Sequence, residues 1–223
     1  MKFVEYPDRE MLMITLADSL AIELKAFLMN HERASFAVPG GTTPGPVFDT
    51  LSDIDLGWER IDVMLTDERW VPEENPRSNT ALLRNRLLTR RAAMARYLPI
   101  YTDTEAPEAA LDDLAAGLEG SFPISLLLLG MGTDGHTASL FPGADRLSEA
   151  LAADAPPLMA MRAPGAPEPR VTLTAPVLKG AMSTHVLITG AEKRAALEVA
   201  AKKPVEEAPI NAVLGAATVH WAE

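Results

Sequence analysis

A histidine and an aspartate separated by one residue are the first indication of chemistry in this chain. Asp134 and His136 lie in the run Ser125–Gly143, which reads S-L-L-L-L-G-M-G-T-D-G-H-T-A-S-L-F-P-G. An imidazole titrates close to neutral pH, so a positioned histidine is a suitable general base. A nearby carboxylate can orient the ring and stabilise its protonated form. His136 is therefore the candidate base, with either Asp134 or Asp67 as its partner.

The residues around this pair predict where it lies. Four consecutive leucines, Leu126–Leu129, are typical of a strand buried on both faces of a parallel sheet. The strand ends at Gly130, and Gly132 and Gly135 permit the tight or left-handed turns that follow it. Ligands of open parallel sheets bind beyond the carboxyl ends of the strands, where this turn would lie. The N–H groups of these two glycines are candidates for stabilising an oxyanion.

Two other interpretations compete for this turn. The glycines at 130, 132 and 135 spell G-x-G-x-x-G after a strand, which is the pattern of dinucleotide-binding folds. The pattern alone is weakly specific, and it lies past the midpoint of the chain. Pro142 and Gly143 also leave room for only a short helix after it. Alternatively the turn is structural, and His136 only packs or caps there.

The composition narrows the classes of function. The 20 basic and 31 acidic residues give a net charge of -11, which argues against general nucleic-acid or membrane binding. An anionic ligand would need a few well-placed cations and backbone N–H groups. The absence of cysteine excludes disulfides, thiolate metal sites and cysteine nucleophiles. The lack of a signal-peptide core and of a membrane-length apolar run predicts a cytoplasmic protein.

Hydrophobic periodicity predicts an α/β fold. The 223 residues, 48% of them apolar, fit a single domain spanning 1–223. We predict an open, mostly parallel, twisted sheet in three layers, with helices on both faces, of Rossmann-like type. The predicted helices cover 10–30, the segments following Pro44 and Ser78 or Asn79, 107–118 and 191–202. The predicted strands cover 33–38, 61–65, 125–130, 158–161, 170–174, 185–189 and, at an edge, 219–221.

Polar loops follow three of the predicted strands. Gly40-Gly41-Thr42-Thr43 precedes a predicted helix, so its N–H groups, its hydroxyls and the helix dipole suit a phosphate. A Walker loop is excluded because Pro46 and Val47 stand where its lysine and hydroxyl residue would be. The other two loops carry Asp67-Glu68-Arg69 and Asp134-Gly135-His136. Because such loops share one edge of an open sheet, we expect them to line one crevice for a phosphorylated small molecule.

With these loops in place, the chain resembles the 6-phosphogluconolactonase family. The similar motifs, in order, are P-G-G-T-T-P (39–44), T-D-E-R-W-V-P (66–72), S-N (78–79), G-M-G-T-D-G-H-T-A-S-L-F-P-G (130–143), R-V-T-L-T (170–174) and T-G-A-E-K (189–193). They span most of the chain, and the segment after Lys202 is assigned no role. The resemblance implies the sugar-phosphate isomerase/deaminase type of fold. It also implies hydrolysis of 6-phospho-D-glucono-1,5-lactone to 6-phospho-D-gluconate, in the oxidative pentose phosphate pathway.

The resemblance also implies roles for individual residues. His136 would activate the water that attacks the lactone. The phosphate would be bound by Gly41, Thr42, Thr43, Arg69, Arg170 and Lys193. Without the resemblance, Arg170 and Lys193 would be ordinary solvated charges, Arg69 would pair with a carboxylate such as Glu68, and Glu68 would cap or solvate a loop. A bound anion would compensate the unfavourable position of Lys193 at a helix N-terminus.

Two relatives of such enzymes provide alternative functions, namely glucosamine-6-phosphate deaminases and phosphosugar-sensing domains. The deaminases carry a glutamate five residues after the motif histidine, where this chain has Phe141, which transfers no proton. A sensor would need a DNA-binding module, for which the chain has neither spare length nor a basic face. These departures therefore favour a lactonase. The lack of metal-ligand spacings and of a serine-nucleophile motif predicts that it uses no metal, no other cofactor and no covalent serine intermediate. Its partner would be a small phosphorylated lactone, and it would be a monomer or a homodimer.

The other three histidines are predicted to be structural. His31 follows the first helix and is placed to interact with its last carbonyls. His185 lies at a strand start and His220 near the C-terminus. No pair of histidines has the spacing of metal ligands, and neither H-E-x-x-H nor G-x-S-x-G occurs.

Overall fold

The computed structural model describes all 223 residues, and it contains ten strands and eight α-helices. The strands, β1 to β10, are Lys2–Glu5, Ala34–Val38, Ile61–Leu65, Asp67–Arg69, Arg96–Leu98, Leu126–Gly130, Leu158–Met161, Arg170–Leu173, Ser183–Thr189 and Thr218–Ala222. The helices, α1 to α8, are Arg9–Asn30, Gly45–Leu51, Asn79–Arg86, Leu111–Gly117, Leu147–Leu151, Ala175–Lys179, Ala191–Ala200 and Asn211–Leu214. None of these helices has the length and apolar content needed to cross a membrane.

Seven strands form the main sheet, in the order β1-β10-β9-β6-β2-β3-β5, and every neighbouring pair is parallel. Every residue of β2 and β3 is buried, as are all residues of β6 except the last. Strands buried on both faces require helices on both faces, because a parallel sheet exposes apolar side chains above and below. The predicted α/β class and its parallel sheet are therefore confirmed.

The chain reverses its direction of winding between two central strands. From β2 it proceeds outward through β3 and β5, whereas β6, β9 and β10 extend the sheet on the other side. At such a switch point the loops leaving the two neighbouring strands diverge and open a crevice at their carboxyl ends. The loops concerned are 39–44, which follows β2, and 131–137, which follows β6.

The helix α1 shows how the leucine spacing determines packing. The Oδ1 atom of Asp8 caps the helix by accepting the N–H of Met11 at 2.8 Å. The side chains of Leu12, Leu16, Leu20 and Leu24 are fully buried, as their four-residue spacing predicts. They belong to a hydrophobic cluster of 60 residues that extends from Leu12 to Ala222.

A second, smaller sheet is a departure from the sequence prediction. Segments 158–161 and 170–174 do form strands, but β7 and β8 pair antiparallel with each other and with β4. The strand β4 is the Asp67-Glu68-Arg69 segment, which the sequence indicated as a loop. Three residues are too few to show the alternation by which a strand is recognised. The strand β4 follows directly after the carboxyl end of β3. Its pairing with β8 therefore brings β8 to the edge of the main sheet where the strands end.

Three further expectations are corrected. Segment 219–221 is not at an edge, because β10 lies between β9 and the unpredicted edge strand β1. The short helix that the dinucleotide-binding interpretation would place directly after the glycine turn is absent, and the next helix, α5, begins only at Leu147. The predicted helix 107–118 is divided into a single 3-10 turn, Pro107–Ala109, and α4.

Candidate active site

A cavity of about 250 Å³ lies at the switch point. The loops after β2 and β6 form two of its walls, the small sheet forms a third, and the end of β9 with α7 forms the fourth. The polar side chains that line it are Thr43, Asp67, Arg69, Asn79, His136, Arg170, Thr189 and Lys193. All three polar loops of the sequence therefore contribute to one crevice.

His136 and Asp134 form an ion-pair geometry in the turn after β6. The Nδ1 atom of His136 lies 2.6 Å from the Oδ1 atom of Asp134, which also accepts the backbone N–H of His136 at 3.1 Å. Burial alone would raise the pKa of Asp134, but these bonds and the nearby imidazole outweigh it and hold the pKa below its usual value. The Nε2 atom of His136 has no hydrogen-bond partner in the protein. Asp134 is thus the carboxylate that orients the ring.

Asp67, the alternative partner, has a different role. Its Oδ2 atom accepts the hydroxyl of Ser139 at 2.6 Å and lies 3.7 Å from the Nη1 atom of Arg170. It is buried and lines the same cavity as His136 without contacting it through a hydrogen bond. Asp67 therefore lies beside a cation, and Asp134 is the carboxylate that forms a hydrogen bond with His136.

The glycines of the turn serve its geometry. The N–H of Gly132 donates to the carbonyl of His136 at 2.9 Å, and the N–H of Gly135 donates to the carbonyl of Gly132 at 3.0 Å. Both donors are used within the turn, so neither is free for the oxyanion that they were expected to stabilise. A Cβ at Gly132 would lie 2.1 Å from the Nδ1 atom of His136 and 2.5 Å from Asp134. Gly132 is needed because the His136–Asp134 pair packs directly on its backbone.

The loop after β2 offers unused donors. Gly41 has a φ of +80°, and the N–H groups of Gly41, Thr42 and Thr43 donate to no acceptor in the protein. Thr43 lines the cavity, whereas Thr42 lines an adjacent cavity that shares Thr43 and Thr189 with the first. The loop thus presents backbone donors at the edge of the site, and the side chain of Thr42 lies outside its main cavity.

Arg69 and Arg170 meet across the small sheet. They are directly opposite each other in the antiparallel register of β4 and β8, an arrangement of like charges that is unfavourable without an anion. The Nε atoms of both are buried without a hydrogen-bond partner. Burial lowers the pKa of Arg170, an effect that Asp67 opposes. An anion in the cavity would supply further acceptors for the two guanidinium groups and would offset the repulsion between them.

Lys193 reaches the cavity from the opposite side. It lies in the first turn of α7, and its Nζ atom donates to the carbonyl of Met131 at 2.9 Å. The bond fixes the ammonium group beside the turn that carries His136. Arg69, Arg170 and Lys193 therefore line one cavity of a protein whose net charge is -11.

Glu68 and Asn79 are positioning residues whose contacts the sequence did not specify. Glu68 is buried and accepts the N–H groups of Arg69, Asn79 and Thr80 at 2.7 to 2.8 Å. It therefore caps the start of α3 and ties this helix to β4, instead of pairing with the guanidinium of Arg69. Asn79 donates to the carbonyl of Asp67 at 3.0 Å and lies against Gly40, where a Cβ would be 2.1 Å from its Cγ. These contacts depend on the packing of α3 against β4, which the sequence alone does not show.

No group of three or more histidine, aspartate or glutamate side chains is arranged to hold a metal ion anywhere in the chain. The ionisable side chains that line the cavity are instead one histidine, one aspartate and three cations, and the histidine is hydrogen-bonded to a second aspartate. Such a set can activate water beside an anion-binding surface.

Comparisons with known proteins agree with this arrangement. Residues 7–221 match the family model described as glucosamine-6-phosphate isomerases/6-phosphogluconolactonase. A 6-phosphogluconolactonase of Rhizobium meliloti (strain 1021) is 43% identical over 93% of this chain and 92% of its own length. One of Mesorhizobium japonicum is 40% identical over 97% of this chain and 93% of its own.

A solved structure gives the same result for the fold. The crystal structure of a 6-phosphogluconolactonase from Shewanella baltica OS155 superimposes with a TM-score of 0.96 at 31% identity, covering 100% of this chain and 98% of that one. The family match extends over nearly the whole chain and includes every wall of the cavity. The chain belongs to the glucosamine-6-phosphate isomerase/6-phosphogluconolactonase family.

Proposed function

We propose that this protein hydrolyses 6-phospho-D-glucono-1,5-lactone to 6-phospho-D-gluconate, the lactone step of the oxidative pentose phosphate pathway. The observation that carries the proposal is the presence of a His136–Asp134 pair and three cations in one cavity. The pair suits activation of water, and the cations suit a phosphate. The names of the 40–43% identical relatives support the same substrate.

His136 acts as the general base. With Asp134 accepting at Nδ1, that nitrogen carries the hydrogen and Nε2 keeps its lone pair, an assignment that follows from the hydrogen bond. The Nε2 atom takes a proton from water as the water oxygen attacks the lactone carbonyl. The resulting imidazolium then gives this proton to the ring oxygen as the carbonyl carbon–ring oxygen bond breaks. Positioned bases of this kind contribute about 10²–10⁴-fold to the rate.

Arg69, Arg170 and Lys193 bind the phosphate, assisted by the backbone donors at Gly41 to Thr43. Charge-assisted hydrogen bonds to phosphate are about twice as strong as neutral ones. The phosphate is remote from the reacting carbonyl, so its binding energy holds the carbonyl beside His136. Loss of a cation should therefore lower kcat as well as raise KM.

Incubation of the purified protein with freshly generated 6-phosphogluconolactone tests the proposal. We expect acid release well above the spontaneous rate, followed with a pH indicator, and unchanged after exhaustive treatment with EDTA. A rate equal to the spontaneous one would refute the lactonase function and favour a phosphosugar sensor. Loss of activity with EDTA would refute only the metal-free mechanism.

Glucosamine 6-phosphate deamination is the second candidate, because the family description includes both activities. Phe141 argues against it, since an aromatic ring cannot transfer the proton that a glutamate would at this position. We expect no ammonia from glucosamine 6-phosphate under conditions that support lactone hydrolysis. Ammonia release at an enzymatic rate would reverse this order of preference.

A further inference from the structure

Phe141 contacts the two sides of the cavity that carry the base and a cation. Its ring centroid lies 4.1 Å from that of the His136 imidazole, with 30° between the two planes. The Cζ atom of Arg170 lies 5.2 Å from the same Phe141 centroid. The ring also packs against the hydrophobic core, which fixes its position. One aromatic side chain thus contacts both His136 and Arg170.

The contact with Phe141 restricts the orientation of the His136 ring, which its hydrogen bond to Asp134 does not fix alone. Asp134 holds one edge of the imidazole through Nδ1, but a single bond at the edge still permits the ring to tilt. An aromatic face against the imidazole restricts this tilt and therefore fixes the direction of Nε2. The same face attracts a cation through its quadrupole. It favours the imidazolium that forms when His136 takes a proton.

Arg170 depends on Phe141 for a similar reason. Its carboxylate neighbours Asp67 and Glu168 are 3.7 and 3.9 Å from its terminal nitrogens, and its Nε atom has no partner. No close hydrogen bond therefore fixes the guanidinium in the protein alone. The Arg170 guanidinium instead packs against the ring of Phe141, which limits its orientation.

We propose that Phe141 is a positioning residue that orients the His136 imidazole and the Arg170 guanidinium together. This role rests on the proposed lactonase function. A non-polar leucine of similar size would fill the space but would provide neither a flat face nor a quadrupole. The position where a deaminase has its glutamate is thus occupied by a group that serves the base and the phosphate cation at once.

The test compares Phe141→Leu with the conservative variant Phe141→Tyr. For Phe141→Leu we expect kcat to fall about 2- to 30-fold, the range of a cation–π contact. The acid limb of the kcat/KM profile should move to lower pH by roughly 0.5 unit, because the imidazolium loses a stabilising contact. Phe141→Tyr should restore both values towards those of the native enzyme.

A matched control is available at Phe3. Its ring lies 6.5 Å from that of Trp221 and 5.5 Å from the Cζ atom of Arg194, which places an aromatic pair and a cation away from the cavity. Phe3→Leu therefore removes similar contacts, and we expect no change in the pH profile. If Phe141→Leu and Phe3→Leu alter activity only in proportion to lost folded protein, Phe141 is merely structural.

A double-mutant cycle tests whether Phe141 acts through Arg170. Phe141→Leu should raise KM in the native background and should raise it less when Arg170 is already alanine, because the two residues act on the same contact. Fully additive effects on KM would refute the link to Arg170.

An NMR titration separates this inference from the proposed function. The imidazole signals of His136, assigned with His136→Asn, can be followed with pH in the native protein and in Phe141→Leu. A lower titration midpoint in Phe141→Leu supports the contact even if no lactone is hydrolysed. An unchanged midpoint refutes it even in an active enzyme.

Discussion

Three of the four histidines lie in two contrasting polar regions, one beyond the carboxyl end of a parallel strand and one within the sheet. His136 lies beyond the carboxyl end of β6, is partly exposed, and has one ring nitrogen without a protein partner. His185 and His220 lie in β9 and β10, are buried, and stack with ring centroids 5.1 Å apart. The first region has free hydrogen-bonding capacity, and the second has none.

The buried pair belongs to a continuous hydrogen-bonded chain. The hydroxyl of Tyr6 lies 2.8 Å from Nδ1 of His220, and Nε2 of His220 lies 2.9 Å from Nδ1 of His185. The chain ends where Nε2 of His185 lies 3.0 Å from the Oε1 atom of Glu23. Tyr6 donates to His220, His220 donates to His185, and His185 donates to Glu23. Each ring nitrogen of the two imidazoles therefore has a hydrogen-bond partner within the protein.

The difference between the regions identifies which histidine can do chemistry. A base must offer a lone pair to a substrate or water, and of the histidines in these two regions His136 is the one that has a ring nitrogen free for this. The buried chain uses every lone pair to join α1, β1, β9 and β10. The sequence indicated His136 as the base from its place after a strand, but the physical distinction depends on which ring nitrogens find partners, and only the structure gives these.

The largest expected effect comes from substituting one histidine in each region and comparing activity with stability. His136→Asn should lower kcat by about 10²–10⁴-fold with little change in KM, because the base acts only in the transition state. Its free energy of unfolding should change little, since the His136–Asp134 pair is partly exposed to solvent. Steady-state kinetics and urea unfolding measure the two quantities.

His220→Asn is the matched variant in the buried region. It should leave kcat unchanged and destabilise the protein by about 1–3 kcal/mol, because polar groups of the chain lose their partners. Should His136→Asn keep near-native kcat, or His220→Asn lose it while folded, the contrast between the regions would be wrong.

An intermediate effect is expected from the cations of the cavity. Arg170→Ala should lower kcat/KM by roughly 10- to 100-fold, the value of a hydrogen bond to a charged group. Inorganic phosphate should inhibit the native enzyme competitively and the variant less. Arg146→Ala is the control, because Arg146 is an exposed arginine paired with Glu149 outside the cavity. Equal losses in both variants would indicate a general charge effect and end the assignment of a phosphate site.

Much of this arrangement follows from the sequence, for identifiable reasons. The leucine run of β6 and the glycines after it place His136 at the carboxyl edge of a parallel sheet, where the structure has it. The spacing of leucines in α1 likewise predicts its buried face. These features are local, so a short stretch of sequence determines them.

Other parts depend on contacts between distant residues. Arg69 faces Arg170 only because β4 and β8 pair, and three residues of β4 carry no recognisable strand pattern. The oxyanion role expected for Gly132 and Gly135 fails because their N–H groups are consumed by the turn. The sequence shows glycines in this turn. It does not show whether each glycine is there to leave its N–H group free for a ligand or to let another side chain pack closely on its backbone.

The smallest predicted effect is a pH dependence of stability that arises in the buried region. Burial, and then the neighbouring His185, lower the pKa of His220 to about 4. The unfolded chain binds a proton at this residue near pH 6.5, so the contribution of His220 to stability is full above that pH and is lost as the pH falls towards 4. The pKa of Glu23 is also lowered, by hydrogen bonds to His185 and Ser183 that outweigh the opposing effect of burial, which weakens the protein further in acid.

Between pH 7.5 and pH 5.5 this linkage should remove about 1 kcal/mol of unfolding free energy in the native protein. Urea unfolding at the two pH values measures it, and His220→Asn should reduce the difference by a similar amount. His31→Asn is the control because His31 is exposed, and it should retain the native pH dependence. A native-like pH dependence in His220→Asn would mean that the acid sensitivity arises elsewhere, and that His220 is not held neutral at the expense of acid stability.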